Sequence, residues 1–242
     1  MKRAATLAAS ALSLLSLATL TACGGGTEPD DAAGEPGPSA SRPEQVPPAR
    51  RLTGLMVTSA DVDGFSVEKY GDEFALAKSP AEVTLDKPVC APLAYAMNQL
   101  PLGEPRADLT RVLADKAGGL NSAHTYLTLT AHASGGAQSA MAGVRKALVA
   151  CGDGFTAEGS GGTSTYDSVT TEDVAPAGDE TLGFRSTMTF RGASHTLHTQ
   201  VVRSGDVLGV YFSVNGMAIA DARPSEAKLP PAVVKAQNAK LG

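Results

Sequence analysis

"SHTLHTQVVRSGDVLGVYFSVN" runs from Ser194 to Asn215. Two stretches rich in β-branched and aromatic residues flank a serine-glycine pair. A two-residue loop at Ser204-Gly205 makes this a hairpin, pairing Arg203 with Asp206, Val201 with Leu208, Thr199 with Val210 and Leu197 with Phe212. Side chains alternate across a strand, so Leu197, Val201, Leu208, Val210 and Phe212 share one face, and that face is expected to be buried.

The segments around it read the same way. In "NSAHTYLTLTAHA", Thr125, Leu127, Leu129 and Ala131 alternate with Tyr126, Thr128 and Thr130. "TSTYDSVTTEDV" and "TLGFRSTMTFRG" have strand composition. Helical spacing occurs in few places. "PVCAPLAYAMNQLP", bounded by Pro88 and Pro101, puts Cys90, Leu93, Met97 and Leu100 on one stripe. "SGGAQSAMAGVRKALVACGDG" does so with Met141, Val144, Leu148 and Cys151, with Ser134 as an N-cap and Gly152 past the end. A last helix starts near Pro230-Pro231 and carries Val233, Val234, Gln237 and Leu241. Long hairpins with few helices predict an α+β fold: a mainly antiparallel sheet with helices packed on one face, a two-layer sandwich that could hold a cleft. Any pocket is expected between sheet and helices, with walls from residues such as Leu127, Leu129, Val210 and Phe212. The same residues also suit plain core.

The N-terminus is different in kind. Lys2 and Arg3 precede an uncharged run to Leu20 that holds Leu7, Leu12, Leu14, Leu15 and Leu17. Basic start, apolar run and small residues give the layout of a secretory signal. Ser10, Ser13, Ser16, Thr19 and Thr21 interrupt the run, which weighs against a permanent span of about 20 apolar residues. Leu20-Thr21-Ala22-Cys23 is similar to the lipobox of bacterial lipoproteins. That resemblance implies cleavage before Cys23, lipidation of its sulfur with palmitate-type acyl chains, and a mature chain anchored to the extracytoplasmic face of the cell membrane. An ordinary signal peptide ending near a cysteine is the alternative. From Gly24 to Arg51 there are six prolines and five glycines, and Val46 is the sole large aliphatic residue. Such a stretch cannot offset its ordering entropy by burial. The expected organisation is therefore a lipoprotein signal peptide over 1–22, a disordered tether over 23–50 and one α+β domain over 51–242. The tether spans on the order of 30 Å.

Without residues 1–22 the chain has 18 basic against 25 acidic residues. Phosphate backbones are bound by clustered Lys and Arg, so a nucleic-acid partner is not expected. Tryptophan is absent, which leaves an aliphatic, alanine-rich core. Cys90 and Cys151 remain as an even pair outside the membrane, each on the inward stripe of a helix. A disulfide is expected, worth about 4 kcal/mol by chain entropy; two separate buried thiols are the alternative.

Chemistry is sparse. His195 and His198 form HxxH, but on a strand residues three apart point to opposite faces. His124 and His132 lie roughly 26 Å apart at strand rise and cannot share an ion. Ser66-Val67-Glu68-Lys69 and Ser225-Glu226-Ala227-Lys228 fit SxxK without the partner motifs of penicillin-recognising enzymes. Asp61-Val62-Asp63-Gly64 starts like a calcium loop, lacks the ligand spacing that follows, and reads as a turn. No catalytic, metal or cofactor residue is marked, and no cofactor is expected.

With these segments in order, the domain resembles the extracellular sensor-like domains of actinobacteria, of the type found on the kinase PknH and on stand-alone lipoproteins. "RLTGLMVTSADVDGF" resembles their opening, "AGDETLGFR" at Ala177–Arg185 a segment ahead of a strand, "VVRSGDVLGVYF" their paired strands and "VVKAQNAKL" their closing helix; Cys90 and Cys151 fit the cysteine placement. The tryptophan and second disulfide common there are missing. The resemblance implies a sandwich with a cleft and a non-catalytic binding or sensing role, for a small-molecule, lipid or protein ligand, and transfers no ligand residue. A lipid or glycolipid carrier of the cell envelope is the second reading, and a hydrolase acting on the cell wall the third.

Overall fold

A computed structural model describes residues 46–71, 75–119 and 121–242. The signal segment, Cys23 and the tether up to Gln45 lie outside the described residues. Among those described the chain forms α1 (Pro48–Leu55), β1 (Phe65–Lys69), β2 (Thr84–Leu85), α2 (Ala91–Ala96), β3 (Ala107–Asp115), β4 (His124–Ala131) and α3 (Gly136–Ala150). There follow β5 (Phe155–Gly159), β6 (Gly162–Tyr166), β7 (Ser168–Glu172), β8 (Glu180–Phe190), β9 (Ala193–Ser204), β10 (Val207–Val214), α4 (Gly216–Ala220), β11 (Ser225–Ala227) and α5 (Pro231–Leu241). Helix α1 starts at Pro48, ahead of the domain start expected at Arg51. None of the described helices is long and apolar enough to cross a membrane.

The fold is α+β. Its main sheet has eight strands in the order β1-β3-β4-β10-β9-β8-β7, antiparallel along this path. The eighth, β11, joins β9 in parallel at Ser225–Ala227, beside the part of β9 that β10 does not reach. A second sheet has the order β2-β5-β6. "TSTYDSVTTEDV" supplies both sheets: Asp167 separates β6, in the small sheet, from β7, at the edge of the large one.

The central hairpin forms, with its register moved by two residues. Val207 pairs with Ser204, Val210 with Val201 and Phe212 with Thr199. The turn is Gly205-Asp206, and Gly205 takes φ 59° at its first central position, where a type II′ turn places glycine. A slip of two keeps every side chain on its face. Leu197, Val201, Leu208, Val210 and Phe212 are accordingly buried together, under α2 and α3.

The helices, expected on one face, are divided between both. Leu93 and Met97 from the α2 segment and Met141, Val144 and Leu148 of α3 cover the face just described. Leu52 and Met56 from the α1 segment and Val233 and Leu241 of α5 cover the opposite face, against Leu113, Leu127, Leu129, Val202, Val207 and Tyr211. The reason lies in β10: Val207 and Tyr211 are as apolar as Leu208, Val210 and Phe212, so both faces must be shielded from water. Leu127 and Leu129 therefore belong to a different core from Val210 and Phe212, and the four do not wall one pocket.

The Cys90–Cys151 disulfide is present, with the Cα atoms 5.9 Å apart. It links the 3₁₀ turn Pro88–Cys90, which leads into α2, to the C-cap of α3. The α2 segment is shorter than expected: Gln99 at φ 56° ends it. At α3, Gly135 occupies the N-cap position in the left-handed region with no side-chain cap, so Ser134 does not cap. Asp61 is part of a turn, as expected. Its carboxylate accepts from the Thr58 backbone N–H (2.7 Å) and hydroxyl (2.8 Å), and Lys240 of α5 lies 3.0 Å away. The Thr58 backbone first, then Lys240, hold it down to about 2.

Candidate functional site

A groove of about 590 Å³ opens on the α5 side of the sheet. Three pieces of chain build it. Strand β9 gives the floor through His198 and Gln200, two apart and so on one face. The strap Asp173–Ala177, between β7 and β8 and part of neither, gives one wall. Helix α5 and its approach give the other through Leu229, Pro231, Val234, Lys235 and Asn238. The helix has two working faces: Val233, Gln237 and Leu241 are buried in it, while Pro231, Val234, Lys235 and Asn238, at helical spacing, face the groove. The strap is pinned at Ala177, whose N–H donates to Thr181 Oγ1 (2.9 Å) and whose carbonyl accepts from the same hydroxyl (2.6 Å). Val174 packs over Gly183, where a side chain would collide with it.

The polar floor is unusual. His198 Nδ1 lies 2.9 Å from Glu172 Oε2. A carboxylate only accepts, so Nδ1 carries a proton. Nε2 is 3.3 Å from Glu226 Oε1 without the alignment of a hydrogen bond. Gln200 is 3 % exposed and its Nε2 has no partner. The other buried glutamine is the control. Gln237, 0 % exposed, accepts from Val57 N–H (2.9 Å) and donates to Leu55 O (2.8 Å), tying α5 to the end of α1. Asn238 is likewise engaged, as acceptor for the Tyr211 hydroxyl at 2.5 Å. Leaving a buried amide donor unmade costs about 1–3 kcal/mol, so Gln200 is the group in the groove whose placement folding does not explain.

A second cavity, of about 300 Å³, lies on the other face between β9, β10 and the small sheet. Its walls include Tyr126, Met188, Phe190, Leu197 and Phe212. Of the four pocket walls expected from sequence, Phe212 alone borders it.

The remaining sequence candidates are kept apart. His195 and His198 fall on opposite faces of β9, as their spacing requires. Ser66 and Lys69 sit three apart on β1 and diverge. Ser225 does meet a histidine: its hydroxyl is 2.9 Å from His195 Nδ1. That imidazole is 0 % exposed, and its Nε2 has no partner, so no carboxylate orients it as a nucleophile's base requires. No group of three potential metal ligands is found among the described residues.

The two most enclosed histidines set a pH dependence. Burial pushes both His195 and His132 below their usual range, with Asp206 partly opposing the effect at His132. The unfolded chain takes up protons from about pH 6.5 downward, while the folded chain resists. Acidification through that window therefore favours unfolding. Urea midpoints should fall between pH 7.5 and 5.5, and His195→Asn should flatten the slope. A midpoint constant across this range would contradict the neutral assignment.

No family model matches the chain, and no curated protein matches it. Among solved structures, the extracellular domain of PknH from Mycobacterium tuberculosis is similar over 79 % of this chain and 93 % of its own, at 14 % identity and a TM-score of 0.50. An uncharacterized Mycobacterium smegmatis protein, a Rv0999 ortholog, is similar over 81 % and 98 %, at 12 % identity and a TM-score of 0.40. At such identity the likeness concerns backbone architecture and carries no site residue across. The resemblance thus holds at the level of the fold: the backbone architecture of this domain is similar to that of the PknH extracellular domain.

Proposed function

We propose that the chain is a lipid-anchored lipoprotein held at the extracytoplasmic face of the cell membrane, and that its domain binds or senses a ligand without transforming it. The observation that carries the binding role is the groove with its buried, unpartnered Gln200 amide. Concave sites with mostly apolar walls and a few convergent polar groups are where small ligands bind. Its lining has no hydroxyl or thiol, so the His198–Glu172 pair has no nucleophile of that kind to activate. The PknH-like fold is consistent with an extracytoplasmic address. Native mass spectrometry of the protein taken from its own membranes tests the binding role. A bound mass lost on Gln200→Met supports it, and an empty protein from every growth condition contradicts it.

The anchor rests on Leu20-Thr21-Ala22-Cys23. One acyl chain holds a protein only marginally, and stable retention takes two signals. Cys23→Ser should move the protein from the detergent phase to the aqueous phase, or leave an uncleaved precursor. Fatty-acid label persisting in that variant would exclude Cys23 as the acceptor.

The carrier reading has one observation in its favour. The aromatic cavity is walled in part by Phe190, one of the exposed large hydrophobics (37 %). A carrier would release lipid on organic extraction.

A further inference from the structure

We infer that the groove receives a short peptide of small aliphatic residues, bound in an extended conformation along the strap. This rests on the binding reading of the same groove. The groove offers a donor and an acceptor side by side. Gln200 Nε2 is a donor without a partner, and the Glu172 carboxylate, which accepts from His198 Nδ1, keeps further lone pairs free. Glu172 pairs with Gly183 and Gly183 with Gln200, so the two stand two strands apart, roughly 10 Å at sheet spacing. A peptide chain supplies what such a floor lacks, a carbonyl for the amide and an N–H for the carboxylate. A simple aliphatic acid or an acyl tail has no donor for Glu172 once ionised.

The walls agree. Val174, Ala175, Pro176, Leu229 and Val234 make them aliphatic and shallow, with no aromatic ring. Small side chains fit, whereas a sugar would want a stacking surface. Val174-Ala175-Pro176 belongs to none of the strands, so no sheet ladder occupies its backbone and a peptide can run against it, as in recognition by strand addition. The rim is charged with opposite signs, Asp173 on the strap and Lys228 and Lys235 across from it. That arrangement suits a zwitterion lying between them.

Gln200 gives a test that a structural role would not pass. An interior amide kept for folding loses stability when removed; one kept for a ligand gains it. In the full chain, Gln200→Met should raise the melting temperature by at least about 2 °C. It should also weaken binding of the free tripeptide Ala-Val-Ala at least tenfold by calorimetry. The parent should bind that peptide with a Kd below about 1 mM and should not bind hexanoate, the acyl probe. Hexanoate binding through Gln200 without peptide binding would overturn the peptide and leave the binding groove standing. Binding of neither probe, with an unchanged or lower melting temperature for Gln200→Met, would overturn both.

Discussion

Replacing Cys90 and Cys151 together by alanine should lower the stability of the domain by about 4 kcal/mol. For a domain of this size that is a fall in melting temperature of roughly 8–16 °C. The bond joins positions 61 apart in sequence. All of α2, β3, β4 and α3 lie between them, so an unlinked denatured chain gains the freedom of a long loop. Both cysteines are fully buried in the core under α2 and α3. Alanine is the proper replacement there, since serine would add a buried hydroxyl and a second penalty. The single variants should be no better than the pair, because each leaves the same loop open and adds a free buried thiol. A double variant melting within about 2 °C of the parent would mean that helix packing alone sets this geometry.

The central hairpin shows what alternation encodes and what it omits. The pattern of Leu197, Val201, Leu208, Val210 and Phe212 selects a face, and that face is buried. It does not select between a loop at Ser204-Gly205 and one at Gly205-Asp206, because the two differ by a slip of two that leaves all faces unchanged. The backbone preference of Gly205 decides. The second shielded face was present in β10, where Val207 and Tyr211 alternate with the first set. Thr196, His198 and Gln200 on β9 pull the same face toward polar, and so obscured it. His198 and Gln200 are the groove floor. The groove itself had no local signature, because β7, the strap, β9 and α5 meet only once the sheet order is fixed. One clue was legible: Gln200 immediately precedes Val201-Val202 in a strand otherwise suited to burial. The divergence of His195 and His198, and the disulfide, needed only the strand and helix periods and followed directly.

Gly154→Ala should be the most damaging of the glycine substitutions around the disulfide, and Gly192→Ala shows why. Both glycines occupy the left-handed region, at φ 77° and 81°. An L side chain there costs roughly 1–2 kcal/mol. At Gly192, in the two-residue turn between Phe190 and Ala193, nothing lies within 4 Å of an added Cβ, so strain is the whole cost. At Gly154 the Cβ would collide with the carbonyl oxygens of Tyr166 and Asp167. These are backbone atoms at the corner where the chain passes from the small sheet to the large one, and they cannot step aside alone. The segment is also fixed from both ends. Gly154 N–H donates to Cys151 O (3.0 Å), Val169 N–H donates to Gly152 O (3.1 Å) and Lys87 Nζ donates to Gly154 O (2.6 Å). Relief of the collision must displace either the end of α3, held by its disulfide, or the β6–β7 corner. The expected loss is about 3 kcal/mol or more for Gly154→Ala against about 1–2 kcal/mol for Gly192→Ala. Thermal melts of the two variants side by side separate strain from collision. Equal melting temperatures would show that the corner yields freely, and that β6 and β7 are not held in place by the turn after α3.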